Sequence, residues 1–361
     1  MKTALAIGST ALWLALCSCG GSAPPPQEPP PATSSPALPP SMGGPSPGQG
    51  AAAGANADKG GASASPDKGG PEVDRAIAAI KANDFRSAKA ACEQALSKNP
   101  KNGMASYYMG VALENLGDKA GAEQHYKNAM ANAPEVAEAA VNLGALYLDA
   151  KKWDEAIDVT QKGLVKRQDD PALHANMAFA LRSKGDKTGA SAEYERAIKV
   201  VGDNADLRFA YGTLLLEMGN KPKAATELKG ALASAGSNRA LLASIGRSLG
   251  AAGAFAECVS ALDKAIAAGD DVELRVRRGL CRHSMKDESG AKSDFEAALK
   301  LDPKFGPAHY YLGESLLAAG NAAQAAKEFD AAATAAPQSE LGKKAKEQAD
   351  AARKAAKKGG K

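Results

Sequence analysis

Four histidines and five cysteines are the residues from which this chain could assemble a metal, redox or nucleophilic site, so their spacing comes first. No C-x-x-C or H-E-x-x-H arrangement brings two of them onto one ion. His125 stands alone, and His283 lies two residues from Cys281, a separation that points side chains toward different faces of a helix. No Ser, Cys or His sits in a G-x-S-x-G turn, and no glycine-rich phosphate loop occurs. Catalysis needs polar groups converging in one pocket, and this inventory supplies none, so the sequence reads as a non-enzyme with no metal, cofactor or small-molecule substrate. Charge removes a further class. With 45 basic and 41 acidic residues the net charge is +4 at pH 7, too balanced for a protein that binds nucleic acid.

The cysteine with a chemistry of its own is near the amino terminus. Lys2 precedes an apolar stretch from Ala4 to Leu16, which has the layout of an export signal and is too short for a permanent membrane span. Leu16-Cys17-Ser18-Cys19 resembles a bacterial lipobox, in which a small residue precedes a cysteine that is acylated. Cys19 follows small Ser18, whereas Cys17 would follow bulky Leu16, so residues 1–18 are expected to be a signal peptide and Cys19 the lipidated residue. Cleavage nearby by the general peptidase, without lipid, is the alternative. The resemblance implies export and a stable anchor, since two or more acyl chains hold where one binds reversibly. Gly20 stands where an Asp often retains such proteins in the inner membrane, so the outer membrane facing the periplasm is the expected site.

Residues 19–70 are almost entirely Pro, Gly, Ala and Ser and hold twelve of the twenty prolines. Too few large apolar side chains are present to offset the entropy of ordering, so a disordered spacer is expected, spanning about 40 Å as a flexible coil. A Pro-motif docking segment is the minority reading.

From Pro71 a period appears. Small residues recur at Ala76, Gly110, Gly144, Ala178, Gly212, Gly246, Gly279 and Gly313, with spacings of 34 and a single 33. Twelve residues after each comes another small position (Ala88, Ala122, Ala156, Ala190, Ala224, Cys258, Ala291, Ala325), and between the two sits a turn such as Gly117-Asp118 or Gly185-Asp186. Gly or Asn there tolerates the left-handed conformation that ends a helix. Eight helical hairpins over 71–337 follow, an all-α chain in which small residues let helix axes approach closely. Such packing suits a composition with only 5% aromatics. Pro100, Pro134, Pro303 and Pro337 close four repeats, where a missing donor costs least.

Met109-Gly110-x-x-Leu113, Ala122, Tyr126, Ala129 and Pro134, with Leu143-Gly144-x-x-Tyr147 and Leu312-Gly313-x-x-Leu316, make the chain similar to tetratricopeptide-repeat proteins. The resemblance implies a right-handed solenoid of about eight hairpins whose first helices line a concave groove for extended peptide segments or partner proteins of the cell envelope. Asn142 and Asn176 occupy the position that commonly bonds a peptide backbone, since an amide both donates and accepts. By the same alignment Tyr107, Phe179, Phe209 and Tyr310 supply aromatic contact, Arg182 and Arg247 supply charge, and Arg277 stands at the asparagine position of its repeat. His174 and His309 fall where the family packs a large aromatic, so a structural role is expected. Arg278-Gly279-x-x-Arg282 departs from the motif by placing charge where Leu belongs, which puts the packing of the seventh repeat in doubt. Cys258 and Cys281 fall on neighbouring helices and could form a disulfide in an exported protein, though separate burial is the reading the sequence favours. Cys92 would then be a buried free thiol.

Residues 338–361 read as a basic capping helix and tail, with eight basic against two acidic residues from Leu341 onward. The function that emerges is a lipid-anchored, non-enzymatic interaction scaffold. The alternatives are a pilotin-like assembly factor for a pilus or secretion-system secretin, and a wall-associated structural protein using the basic tail.

Overall fold

The computed structural model describes residues 70–359, all of whose regular elements are helices. Cys19, the signal peptide and the spacer therefore lie outside the described residues. The helices fall into two compact units divided after Gly202. The first holds α1 (Gly70–Lys81), α2 (Phe85–Lys98), α3 (Gly103–Asn115), α4 (Lys119–Asn132), α5 (Ala137–Asp149), α6 (Trp153–Lys166), α7 (Pro171–Ser183) and α8 (Lys187–Val201). The second holds α9 (Ala205–Glu217), α10 (Lys221–Ser234), α11 (Arg239–Ala252), α12 (Phe255–Ala268), α13 (Val272–Ser284), α14 (Glu288–Leu301), α15 (Gly306–Ala318), α16 (Ala322–Ala335) and α17 (Glu340–Gly359). Within each unit odd and even helices pair as hairpins, and within each unit a second helix packs on the first helix of the hairpin that follows it.

Local chemistry explains where the helices stop and restart. Gly117, Gly185, Gly219 and Gly320 take φ between 78° and 91°, the left-handed conformation that lets the chain leave one helix and enter the next. Asn83 does the same at 56°, and Lys151 and Lys286 adopt it without the glycine that would make it easy. Asp84, Asp118, Asp186, Asn220 and Asp287 then cap the second helix, each side-chain oxygen accepting the backbone N–H three residues on.

Inside each hairpin the small residue of the first helix faces a larger one sixteen residues later. A β-carbon on Gly110 would stand 2.6 Å from the Tyr126 ring, and one on Gly313 would stand 2.8 Å from Phe329. Both rings are fully buried because nothing intervenes. Ala345, Ala349 and Ala352 carry the pattern into α17, which lays an alanine stripe on the preceding hairpin.

The seventh repeat departs from expectation. Arg278 and Arg282 do not loosen it; they converge on Asp294 of α14, which is 1% exposed. Arg278 grips that carboxylate with two nitrogens, Arg282 Nη1 lies 2.8 Å away, and Arg275 stands at 3.7 Å. Arg278 reaches Asp263 and Arg275 reaches Asp270 on the outer side, so each guanidinium has a second acceptor. A charged network replaces the leucine contact, workable because forked guanidinium groups satisfy a buried carboxylate geometrically. Asp294→Ala would leave three arginines around an empty centre. Urea denaturation of the full chain is expected to show a loss of about 3–5 kcal/mol, far more than the outer Asp263→Ala should give.

Candidate functional site

The residues expected to line the groove do not share one environment. Tyr107, Asn142, Phe179 and Arg182 are half-buried on α3, α5 and α7 of the first unit. Phe209 is half-buried and Arg247 exposed in the second unit. Asn176, Arg277 and Tyr310 are instead buried, at 4%, 7% and 4% exposure. Asn176 turns its amide inward because Gly144 leaves room above it, and its Nδ2 donates to the Val141 carbonyl at 2.9 Å. Tyr310 packs edge-on against Tyr311 and Phe329, with ring centroids 5.3 and 5.6 Å away. The expected two-rung asparagine ladder is thus reduced to Asn142, and Tyr310 and Arg277 belong to the interior of the second unit.

Asn142 itself is part of a chain of polar contacts. Its Nδ2 donates to Tyr126 Oη at 3.3 Å, and Tyr126 Oη donates to Glu114 at 2.6 Å. Burial pushes the Tyr126 and Tyr107 hydroxyls well above the usual phenol range, with Asn142 pulling weakly the other way. Both phenols stay neutral and remain donors. The network links α3, α4 and α5 beside Tyr107, whose ring centroid is 4.9 Å from that of Tyr108. Phe179 leans on Trp153 at 6.2 Å. An extended segment laid along these helices would meet aromatic faces first and an amide that is already held in place.

His174 and His309 are structural, through hydrogen bonds rather than aromatic packing. His174 Nε2 donates to the Gln168 carbonyl at 2.8 Å, and its Nδ1 lies 2.6 Å from the Glu193 carboxylate. His309 repeats the arrangement with the Pro303 carbonyl at 3.0 Å and Glu328 at 2.7 Å. Arg208 takes the same place in the fifth repeat and holds Glu227 at 2.8 Å. Each such clasp ties a first helix to the second helix nineteen residues on. That signal was available to sequence reasoning as a polar residue in the first helix followed nineteen later by a carboxylate. In the second repeat the same two places hold Ser106 and His125, whose Oγ and Nδ1 have no hydrogen-bond partner among the described residues. Among the described residues no group of three His, Cys, Asp or Glu side chains is placed to hold a metal ion.

Cys258 and Cys281 are joined as a disulfide between α12 and α13, with Cα atoms 6.4 Å apart, so the favoured expectation of separate burial is corrected. Stacking of adjacent hairpins sets that distance, which the sequence does not contain. Cys92 is a buried free thiol, pushed up to about 12 by burial and so held as S–H. The bond closes a separation of 23 residues. By chain entropy its reduction is expected to cost about 3 kcal/mol, read as a drop in the melting temperature with a reductant that leaves Cys258→Ala/Cys281→Ala unaffected.

Glu314 on α15 sits beneath Tyr310. Burial holds its carboxyl above the ordinary value of 4.5, while the Tyr310 hydroxyl, His283 and Lys344 pull it back only in part. The folded chain therefore keeps this proton to higher pH than the unfolded chain does. Its contribution is complete below the ordinary value and lost as pH rises through the raised one. Unfolding midpoints at about pH 4.5 and about pH 8 are expected to differ less in Glu314→Gln than in the wild type.

Two family models agree with this architecture. Family models described as tetratricopeptide repeat match residues 73–134 and 176–239, and 116–178 and 282–349. A tetratricopeptide repeat protein from Parabacteroides merdae is similar at 15% identity and a TM-score of 0.46, over 68% of this chain and 97% of that one. MamA from Desulfovibrio magneticus is similar at 16% identity and a TM-score of 0.42, over 48% of this chain and 97% of that one. No curated protein matches the chain.

Proposed function

The chain carries tetratricopeptide repeats through most of its described length, and from that premise we propose that it is a non-enzymatic scaffold that binds protein segments along its first helices. The observation that carries the reading is the half-buried row of Tyr107, Asn142, Phe179 and Arg182 on successive first helices of one unit. Half-exposed rings backed by packed neighbours offer contact area at little entropic cost, and arginine adds directional donors. In the second unit Phe209 and exposed Arg247 offer the same pair of chemistries.

The proposal includes the address. Export and acylation of Cys19 would hold the repeats at the bacterial outer membrane, facing the periplasm, on the spacer of residues 19–70. Tethering raises the local concentration of a binder around membrane partners without any new contact. A second reading has one observation in its favour: Lys343, Lys344, Lys346, Lys354 and Lys357 are all exposed on α17, a face suited to an anionic wall polymer.

Membrane fractionation of the wild type beside Cys19→Ala, with labelling by a radioactive fatty acid, tests the anchor. Label and membrane association should both disappear in the variant. A variant that stays labelled, or a wild type found wholly in the soluble fraction, would replace the anchored scaffold with a free exported adaptor.

A further inference from the structure

The clasp that ties first to second helix is missing from the third repeat. Where the fourth repeat has Gln168, His174 and Glu193, the third has Pro134, Ala140 and Val159, and all three of these line one open cleft of about 610 Å³ between α4, α5 and α6. In the sixth repeat the same two helix positions are also apolar, but Leu242 fills the space and is 1% exposed. Ala140 is too short to do so. At the rim Val165 is 73% exposed, unusually open for an aliphatic side chain.

We infer that this cleft, separate from the row of groove residues, is a docking site for an amphipathic helix of a partner protein that runs antiparallel to α6. The walls are side chains of helices whose backbones are already hydrogen-bonded, so an extended strand would leave its own amides unpaired, whereas a helix brings them satisfied. Charge fixes direction. Glu155 and Lys166 line the two ends of the cleft on α6 and have no ion-pair partner among the described residues, while Asp158 and Lys162 between them pair at 2.6 Å. Eleven residues of helix separate those two ends, about 16 Å or three turns. A docked helix would place an acidic residue against Lys166 and a basic one against Glu155. Acidic residues favour a helix N-terminus and basic ones a C-terminus, so an ordinary helix matches these ends only when it is antiparallel to α6. Its aliphatic side chains at i, i+4 and i+7 would occupy the space that a clasp or Leu242 fills elsewhere.

The probe is a fluorescein-labelled helical peptide of about eleven residues, with leucine at those spacings, glutamate in its first turn and lysine in its last, beside a second peptide with the two charges exchanged. Fluorescence anisotropy with the full chain should show the first binding about tenfold tighter than the second. Ala140→Leu, at a position 2% exposed, should abolish binding, and Glu155→Lys/Lys166→Glu should invert the peptide preference. The double variant alters only surface charge, so it tests the idea even if the cavity-filling change perturbs packing. Equal affinity for both peptides in the wild type, or binding that survives Ala140→Leu and is lost in Phe179→Ala, would overturn the inference. Self-association of the chain that Ala140→Leu removes would assign the cleft to a second copy and overturn it too. So would peptide binding that appears only once residues 1–69 are cleaved away, since the chain's own leading segment would then be the occupant.

Discussion

Most of this fold depends on one contact, a small residue on the first helix of a hairpin meeting a larger one sixteen residues later on the second. Tyr126, Tyr194, Leu228, Phe295 and Phe329 are fully or almost fully buried because Gly110, Ala178, Gly212, Gly279 and Gly313 yield to them. A chain with few aromatics can afford a core on these terms, since each large side chain is used once and surrounded completely. Closely packed axes also mean that the turn must be short. The left-handed residue and the capping Asp or Asn that follow are consequences of that geometry rather than independent features.

The contact is apolar and sets distance; polar clasps add a second tie between the two helices, and they vary from repeat to repeat. His174 with Glu193 and Arg208 with Glu227 cross the hairpin directly, and Asp294 gathers three arginines from one helix. Where a clasp is absent the consequence depends on what stands in its place. Leu242 closes the gap, whereas Ala140 opens a cleft. Variation at one position of a repeating unit therefore produces local differences in surface without disturbing the stack, and such differences can confer separate binding faces on a repeat protein.

The same trade appears along the proposed groove. Asn142 donates to Tyr126, which donates to Glu114, so a side chain that could have faced a peptide is partly spent on holding three helices together. Asn176 is spent wholly, against the Val141 carbonyl. Half-buried aromatic rings and arginines are left as the chemistry of the proposed groove, which would favour contact area over backbone hydrogen bonding in a bound segment.

The sequence by itself determined the hairpins, their number and their turns, because the period of 34 depends only on which residues recur, and a helix with its cap is decided within a few residues. Gly117, Gly185 and Asp118 announce their conformations in this way. Burial was not legible to the same degree. Whether Asn176 lies in the groove or under it depends on Gly144 in the neighbouring repeat, and whether Arg282 disrupts its repeat or clasps Asp294 depends on a residue twelve positions away on another helix. Cys258 and Cys281 are joined because stacking brings their α-carbons to 6.4 Å. The tertiary structure decided these points because each rests on a distance between helices, and distances follow from how unlike side chains fill a shared space, which no single repeat encodes.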